Sequence, residues 1–368
     1  IQAIRAILKD ADINCNIYTS PHIQKINERF IFNDEEISDE NLMKLLIEVE
    51  DINSGEPITY FEILTAAFFY NAKKFKNNIN LLESGLFHRV DACSIIKSNL
   101  ASVVTAIGLD HLDWLPKDEQ TIEKIVYEKT SSLLNSNIII SKQYPLNTTK
   151  IIKKTILKNS SNKSFFNEDF SYSNGENGFF YYEDKFGGLK LPMPNILGQF
   201  QLENISTAIA TLRMVNIGIE DENIKRGITK IKSIARLQEI KTGKLKELVK
   251  DNRLILDGSH NEDGSRVLNE YLQTLDCKKH VIIGMMANKN HQKYISYFKN
   301  IESFRTIDIP GQPNCISGME LKNKFKAIKD VQYKKNIEQA IKSVPLREND
   351  LLIITGSLYL AGEVLNLN

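Results

Sequence analysis

The spacing of apolar side chains predicts three helices near the start of the chain. Residues 1–11 place isoleucine, leucine and alanine at the i, i+3, i+4 and i+7 positions of an amphipathic helix. A second segment of this kind follows Ser38, whose side chain is typical of a helix N-cap. Thr59 to Lys76 forms the third, with one strongly apolar face.

Short apolar runs between these helices predict β-strands. Asn16 to Thr19 and Asn80 to Glu83 are brief runs, and Ala101 to Leu109 is rich in β-branched residues just before Asp110 and His111. Because such runs alternate with helices, we expect a parallel sheet with helices on both faces. Ligands gather at the carboxyl ends of the strands in sheets of this type.

The composition changes between Tyr144 and Leu191, where Asn, Ser, Lys and Gly are frequent. Residues 178–182 predict an antiparallel strand near a hairpin, so we interpret 144–191 as a peripheral β excursion. Helical periodicity returns from Gln201 to Met214.

The periodic pattern weakens again between Lys230 and Lys241, which we interpret as a linker. Beyond it, strands are predicted at 253–257, 280–283 and 350–355, and helices at 264–275 and 292–298. We therefore predict two α/β domains, a first over residues 1–232 and a smaller second over residues 233–368.

Composition excludes several classes of protein. The chain of 368 residues is 42% hydrophobic and 25% charged, the balance of a globular protein. Its net charge of +1 gives no electrostatic reason to bind nucleic acid. We find no apolar run of about 18 residues and no secretory pattern, so we expect a cytoplasmic protein that does not enter membranes. Its four cysteines form no C-x-x-C pair, which argues against a local zinc site.

Ser20, Glu83 and His111 each lie at the end of a predicted strand. Two oxygen donors and an imidazole are suited to a divalent cation such as Mg²⁺, completed by water and phosphate oxygens. The alternative is that Ser20 and Glu83 cap helices and that His111 is a hydrogen-bonded loop residue. A nucleophile–base pair of Ser20 and His22 is disfavoured because no G-x-S-x-G turn surrounds the serine.

Longer motifs include these residues and their neighbours. In the first predicted domain they are Tyr18 to His22 (Y-T-S-P-H), Asn27 to Arg29 (N-E-R), Ile58 to Glu62 (I-T-Y-F-E), Leu82 to Ala92 (L-E-S-G-L-F-H-R-V-D-A), Ile107 to His111 (I-G-L-D-H) and Glu128-Lys129 (E-K). Later in the chain they are Leu197 to Asn204 (L-G-Q-F-Q-L-E-N), Arg236 and Asp257 to Asn261 (D-G-S-H-N). This ordered set resembles the motifs of the folylpolyglutamate synthase and dihydrofolate synthase family, a branch of the Mur ligase superfamily.

The resemblance implies a fold and an activity. The fold is α/β, with a P-loop ATPase-like domain of the Mur ligase type followed by a smaller Rossmann-like domain. The activity is ATP-dependent ligation of L-glutamate to dihydropteroate, to the γ-carboxyl group of a folate, or to both, through an acyl phosphate. ATP and Mg²⁺ are then required, because the meeting of two anions needs neutralised phosphates and a fixed geometry. The expected partners are these small molecules, with no nucleic acid and no membrane, and the expected state is a monomer.

The resemblance also implies roles for individual residues. The Mg²⁺ ligands would be Ser20, Glu83 and His111. The catalytic residues would be Lys129, the counterpart of a lysine that family members carbamylate, and His260 on the phosphate side. The residues that contact ATP would be Asn204, Arg236 and Asp257, since a guanidinium suits phosphate and a carboxylate suits ribose hydroxyls. The residues that face the pterin would be Thr59, Tyr60, Phe61, Glu62, Val90, Asp91 and Ala92.

Departures from the family pattern are equally informative. The family's phosphate-binding loop, G-T-x-G-K-G-[ST], is expected directly before the helix at residues 1–11 and is not among the 368 residues. We therefore expect the first domain to lack its first strand and P-loop, and the chain to be a poor catalyst. Phe87 and His88 stand where the family has Gly-Gly, and Phe200 stands where it has histidine.

Two alternatives to an active folate ligase follow. The first is a degenerate, non-catalytic protein that binds folate or nucleotide, because the phosphate loop and several glycines are missing. The second is a Mur-type ligase acting on a cell-wall precursor. The match of residues 59–62 and 90–92 to the folate branch argues against the second.

Overall fold

The computed structural model describes residues 1–325 and 330–368. The chain divides into two compact units, the first formed by Ile1–Asn195 and Gln201–Lys232, the second by Ile196–Phe200 and Ser233–Asn368. The main division lies within the linker predicted from the sequence. The segment Ile196–Phe200 belongs to the second unit because Leu197 and Phe200 pack against that unit's core.

Four helices of the first unit begin close to the predicted positions, and three further helices are additional to the prediction. They are α1 (Gln2–Asp10), α2 (Asp39–Asn53), α3 (Tyr60–Ala72), α4 (Ile122–Thr130), α5 (Asn147–Thr155), α6 (Phe200–Val215) and α7 (Asp221–Gly227). The Ser38 hydroxyl accepts a hydrogen bond from the amide of Asn41, as an N-cap does. Leu42, Leu45 and Val49 form the buried stripe of α2.

The strands of the first unit form three sheets. They are β1 (Cys15–Tyr18), β2 (Phe30–Phe32), β3 (Glu35–Glu36), β4 (Ile79–Leu82), β5 (Ala101–Val104), β6 (Asn137–Ile140), β7 (Asn162–Phe165), β8 (Phe170–Asn174), β9 (Phe179–Asp184) and β10 (Gly187–Pro192). Their orders are β3-β2-β1-β4, β5-β6-β7 and β10-β9-β8. The expected single parallel sheet is therefore wrong in detail: β1 pairs parallel with β4 but antiparallel with β2. Asn33 and Asp34, both with positive φ, form the tight turn that makes β2 and β3 a hairpin.

The predicted β excursion at 144–191 is also wrong over its first part. Helix α5 and strand β7 lie inside this range, and β7 pairs parallel with β6. The antiparallel sheet of β8, β9 and β10 occupies only Phe170–Pro192. Lysine and threonine dominate the sequence of α5, which has only a narrow apolar stripe; Ile152, in that stripe, is fully buried.

Strand β5 ends at Val104, earlier than the apolar run to Leu109 predicts. The side chain of Gln143 ends it: its Oε1 accepts a hydrogen bond from the amide of Ile107, and its Nε2 donates to the carbonyl of Thr105. These backbone groups are therefore bonded to a side chain and not to a neighbouring strand.

Two apolar cores support the first unit. Tyr18, Phe30, Phe32 and Phe68 stack between helices α2 and α3 and the sheet that contains β1. A second core of isoleucine and valine side chains lies around β5 and β6 beneath α4 and α5. Aromatic stacking of this kind adds about 1 kcal/mol per pair beyond area burial.

The second unit is a Rossmann-like α/β fold, as the sequence predicted. Its strands are β11 (Gln238–Glu239), β12 (Arg253–Leu256), β13 (Lys279–Ile283), β14 (Ser303–Ile307), β15 (Val331–Lys334) and β16 (Leu351–Thr355), in the order β11-β12-β16-β13-β14-β15. Its helices are α8 (Lys244–Val249), α9 (Glu262–Gln273), α10 (His291–Ser296), α11 (Gly318–Lys324), α12 (Ile337–Ser343) and α13 (Leu358–Leu367). Strands β12 to β16 pair in parallel, and β11 adds an antiparallel edge. Across the described ranges, no helix is long and apolar enough to cross a membrane.

Candidate functional site

Ser20 and Glu83 meet at the carboxyl ends of two parallel strands. Tyr18 of β1 is in register with Leu82 of β4, so the residues that follow these strands are neighbours. The backbone amide of Ser20 donates a hydrogen bond to Glu83 Oε2 at 3.0 Å. The structure thus brings together two of the three residues predicted to bind a divalent cation.

Directly after Glu83, residues 84–92 form a loop that the carboxylate of Asp91 organises. Asp91 Oδ2 accepts hydrogen bonds from the amides of Gly85 and Leu86, at 2.8 and 3.2 Å. Its Oδ1 accepts one from the amide of Cys93, at 2.9 Å, and so caps the 3₁₀ helix Ala92–Ile95. Asp91, predicted to face a substrate, therefore shapes the loop on which Val90 stands exposed.

Lys129 lies beside this 84–92 loop. Its Nζ donates a hydrogen bond to the carbonyl of Leu86 at 2.9 Å and lies 5.5 Å from the centre of the Phe87 ring. Burial lowers the pKa of Lys129, while the charges of Asp110 and Asp91 oppose that shift. Because desolvation disfavours an ammonium, the neutral amine is more accessible here than on an exposed lysine.

His111, the third predicted metal ligand, lies against the same ring. The centres of the His111 and Phe87 rings are 6.1 Å apart at an interplanar angle of 82°. Its backbone has a positive φ of 59° and donates an amide hydrogen bond to Asp110 Oδ1 at 2.9 Å. Phe87 thus touches both His111 and Lys129, at a position where the resemblance of the motifs predicts glycine.

Ser20 and Glu83 offer oxygen atoms, the type of ligand that a hard cation such as Mg²⁺ prefers. A serine hydroxyl and a carboxylate are oxygen ligands, and Mg²⁺ takes few protein ligands while keeping water or phosphate oxygens. Within residues 1–325 and 330–368, no three His, Cys, Asp or Glu side chains converge closely enough to hold a metal ion. A cation at Ser20 and Glu83 would therefore depend on substrate phosphates for much of its coordination.

Thr59 and Glu62, predicted to contact the pterin, form a capping box at the start of α3. The Thr59 hydroxyl donates to Glu62 Oε2 at 2.6 Å, and the Glu62 amide donates back to that hydroxyl at 3.3 Å. Hydrogen bonds to the Glu62 carboxylate from the hydroxyl and from the backbone amide of Thr59 lower the pKa of Glu62. Tyr60 is exposed, and the ring of Phe61 lies so close to Gly85 that a Cβ at that glycine would be 2.6 Å from it. The structure therefore places this segment beside the 84–92 loop.

Asn204 lies near the start of α6 in the first unit. It is exposed, and its Nδ2 donates a hydrogen bond to Gln201 Oε1 at 3.1 Å. Glu203, its buried neighbour, accepts a hydrogen bond from Lys142 at 2.9 Å and anchors the helix. Asn204 is thus an exposed residue of a helix that the Glu203–Lys142 contact holds in place.

In the second unit, Asp257 supports the turn that carries Arg236. Asp257 Oδ2 accepts a hydrogen bond from the amide of Leu237 at 2.9 Å, and the carbonyl of Ala235 accepts one from the amide of Gly258 at 2.7 Å. Asp257 is buried, whereas Arg236 is exposed. Two residues predicted to contact ATP therefore lie at the same turn: the buried Asp257 braces it, and the guanidinium of Arg236 is exposed to solvent.

His260 follows on the same loop. Its Nδ1 lies 3.1 Å from the carbonyl oxygen of Gly258, so this nitrogen carries the proton and donates. Beneath the loop, the hydroxyls of Ser259, Tyr294 and Thr355 form a fully buried triangle with sides of 2.9, 2.9 and 3.1 Å. Burial raises the pKa of Tyr294, which keeps its hydroxyl protonated.

Sequence reasoning missed several residues that shape these segments. They are Arg89, Asp110, Gln143, Tyr294 and Thr355. Arg89 and Asp110 stood inside recognised motifs, so their polar character was a usable signal. Gln143, Tyr294 and Thr355 had no such signal, because their partners are distant in sequence.

Known proteins resemble this chain in sequence. The family model described as "Dihydrofolate synthetase, C-terminal domain" matches residues 239–367. A dihydrofolate synthase/folylpolyglutamate synthase of Bacillus subtilis is 27% identical over 392 aligned residues, covering 98% of this chain and 85% of that protein.

Solved structures agree in fold. The bifunctional folylpolyglutamate synthase/dihydrofolate synthase of Yersinia pestis, complexed with AMPPNP and Mn ion, superposes with a TM-score of 0.86 at 22% identity, covering 99% of this chain and 84% of that one. Escherichia coli FolC in complex with DHPP and ADP gives the same TM-score, identity and coverage.

The chain therefore has the α/β fold of these synthase structures, with a Rossmann-like second unit. In sequence, the chain is similar to dihydrofolate synthase/folylpolyglutamate synthases over nearly its whole length, and its residues 239–367 match the model of that C-terminal domain. The α/β fold class predicted from the motifs is thereby confirmed, and the resemblance to this family extends over 98% of the chain.

Proposed function

We propose that this chain is an ATP-dependent ligase that joins L-glutamate to dihydropteroate, to the γ-carboxyl group of a folate, or to both. The observation that carries the proposal is the meeting of Ser20 and Glu83 at the carboxyl ends of β1 and β4, where the Ser20 amide nitrogen lies 3.0 Å from Glu83 Oε2. The 84–92 loop follows Glu83 directly, and Lys129 is hydrogen-bonded to that loop. The relatives bear the names of such ligases, which supports the same reaction class.

The proposed reaction has two steps. A carboxylate oxygen of the acceptor attacks the γ-phosphorus of ATP, and ADP leaves, which gives an acyl phosphate. The amine of glutamate then attacks the acyl carbon, phosphate leaves with the electron pair of the broken C–O bond, and the amine loses a proton. Both steps bring anions together, so cationic groups and fixed geometry supply most of the catalysis.

In this proposal the first unit binds the acceptor and the cation. Mg²⁺ held by Ser20, Glu83 and His111 would neutralise phosphate charge. The acceptor would lie against the segments that contain Thr59, Tyr60, Phe61 and Glu62, and Val90, Asp91 and Ala92. Lys129, whose pKa is lowered by burial, has an increased share of the neutral amine that carbamylation requires.

The remaining roles belong to nucleotide binding. The exposed guanidinium of Arg236 is suited to a phosphate, and the turn that Asp257 braces holds it in place. His260 would act on the phosphate side, and Asn204 would contact ATP from α6. The proposed partners are small molecules alone, and the proposed state is a monomer.

The test is glutamate-dependent release of ADP by the protein as encoded, with dihydropteroate and tetrahydrofolate assayed separately. We expect release with at least one acceptor, its loss without glutamate, and its loss in the variant Glu83→Gln. The variant Glu50→Gln, at an exposed position of α2, is the matched control. Absence of release with both acceptors, while a relative assayed in parallel is active, contradicts the proposal.

A second candidate function is binding of folate or nucleotide without turnover. The observation in its favour is Phe87, a bulky ring that contacts both Lys129 and His111 where the family pattern has glycine. Calorimetry distinguishes the two functions: heats of Mg²⁺-dependent ATP binding with no glutamate-dependent ADP release favour the second candidate.

A further inference from the structure

An ion pair between Arg89 and Glu128 joins the 84–92 loop to helix α4. Arg89 Nε lies 2.7 Å from Glu128 Oε2, and Nη2 lies 3.1 Å from Oε1, so the guanidinium engages both carboxylate oxygens. The Glu128 side chain is only 4% exposed. A bidentate contact to a buried carboxylate fixes the orientation of the guanidinium as well as its distance from the carboxylate.

Backbone groups reinforce the same connection. The amide of Arg89 donates a hydrogen bond to the carbonyl of Glu128 at 2.9 Å, and the ammonium of Lys129 donates to the carbonyl of Leu86 at 2.9 Å. The loop and the last turn of α4 are therefore linked at two successive residues of the helix. Asp91, with its bonds to Gly85 and Leu86, closes the loop on itself.

Glu128 stands in an unfavourable place for a carboxylate. It is the third residue from the end of α4, where the helix dipole presents negative charge. Lys124, one turn earlier, lies 3.3 Å from Glu128 Oε1 and neutralises part of the charge. Arg89 supplies the other cation from outside the helix, so the position of the buried carboxylate depends on the loop.

We propose that Arg89 and Glu128 are positioning residues that hold the acceptor-binding loop and Lys129 in one fixed geometry. Neither side chain needs to touch a substrate for this role. Val90 and Asp91 follow Arg89 directly, and Lys129 follows Glu128 directly. A displacement of the Arg89–Glu128 ion pair would therefore move the acceptor-facing residues of the loop and Lys129. The kinetic part of this proposal rests on the proposed function, whereas the structural part does not.

The experiment compares three variants with a matched control. Arg89→Met removes the charge and keeps the aliphatic part of the side chain. Arg89→Lys keeps the charge without the bidentate contact, and Glu128→Gln keeps the side-chain shape without the charge. The control is Arg213→Met, which removes a second arginine–carboxylate pair of the first unit, with Asp184 at 3.0 Å and side chains 14% and 6% exposed.

The first measurement is amide hydrogen exchange under conditions where every variant is folded. We expect the amides of Gly85, Leu86 and Arg89 to exchange roughly tenfold faster in Arg89→Met and Glu128→Gln, because these amides are bonded within the loop or to α4. Arg89→Lys should show a smaller change, and Arg213→Met should leave the three amides protected. Unchanged protection in all Arg89 and Glu128 variants overturns the proposal.

The second measurement is steady-state kinetics. We expect KM for the acceptor to rise roughly fivefold or more in Arg89→Met while KM for ATP changes less than about twofold, since the loop faces the acceptor. A rise of similar size in Arg213→Met would show a general loss of structure and would overturn the proposal. If no variant and no wild-type protein releases ADP, the proposed function fails, and the exchange measurement still decides the positioning role.

Discussion

The carboxylate of Asp257 accepts a hydrogen bond from the backbone amide of Leu237 at 2.9 Å, across 20 residues of sequence. Its second oxygen accepts one from the amide of Ser259 at 3.0 Å. Ala235 and Leu237, on either side of Arg236, both have positive φ, near 52° and 51°. Such a backbone costs about 1 kcal/mol or more per non-glycine residue, so the turn that presents Arg236 requires the bonds that Asp257 provides.

Asp257 and Arg236 should therefore respond differently to mutation. Asp257→Asn turns one acceptor into a donor facing an N–H group, so we expect the free energy of unfolding to fall by about 1–3 kcal/mol and ATP binding to weaken. Arg236→Met should weaken ATP binding while stability changes by less than about 0.5 kcal/mol, because the side chain is exposed. Denaturant unfolding and ATP titration measure both effects. Equal loss of stability in the two variants would contradict this division of roles.

Replacement of Lys129 by methionine should abolish most ligase activity. Lys129 is hydrogen-bonded to Leu86 and lies over Phe87, so methionine fills similar space without the amine. We expect kcat to fall by about 10²–10³, the cost of a lost preorganised charge, with the protein still folded. Lys153→Met, at an exposed ion pair of α5, is the control. Retention of near-normal kcat in Lys129→Met would remove Lys129 from the proposed chemistry.

Stability should fall as the pH drops below about 6.5. His280 is fully buried, its Nδ1 2.8 Å from Ser303 Oγ and its Nε2 3.2 Å from Asp350 Oδ2. Burial lowers its pKa, an effect that Asp350 partly offsets. The unfolded chain therefore binds more protons between pH 6.5 and the lowered folded pKa, so stability rises with pH in that window.

The variant His280→Gln checks the contribution of this residue. Because glutamine does not titrate, its free energy of unfolding should decline less steeply between pH 7.5 and pH 5 than that of the wild type. His22, His88 and His291 also have lowered pKa values, so part of the slope remains. Two parallel curves from urea unfolding at each pH would show that His280 does not couple folding to protonation.

Tyr294→Phe should cost about 1 kcal/mol of stability. The removed hydroxyl bonds to Ser259 and Thr355, but those two hydroxyls remain 3.1 Å apart and keep each other satisfied. Tyr297→Phe, in the residue directly after α10, serves as the control and should change stability by less than about 0.5 kcal/mol. Thermal unfolding of both variants gives the comparison. A cost above about 3 kcal/mol for Tyr294→Phe would mean that the hydroxyl triangle collapses as a unit.

Local features of the fold were predictable because their causes are local. Ser38 and Asn41, and likewise Thr59 and Glu62, are three residues apart and bond within one helical turn. Helix α5 escaped prediction because its apolar stripe is narrow and its surroundings are polar. The end of β5 escaped because it depends on Gln143, which lies 36 residues from its partner Ile107.

The sequence by itself determined the α/β fold class and the resemblance to folate ligases, and it predicted the candidate residues, since these depend on short motifs and on periodic burial of apolar side chains. Only the tertiary structure decided which of those residues meet. It placed Ser20 against Glu83, and it placed Phe87 between His111 and Lys129. It also paired Arg89 with Glu128 over 39 residues. Such contacts depend on long-range packing, because strand register and loop closure bring together side chains that are far apart in sequence. A local sequence pattern does not show which distant residues will meet.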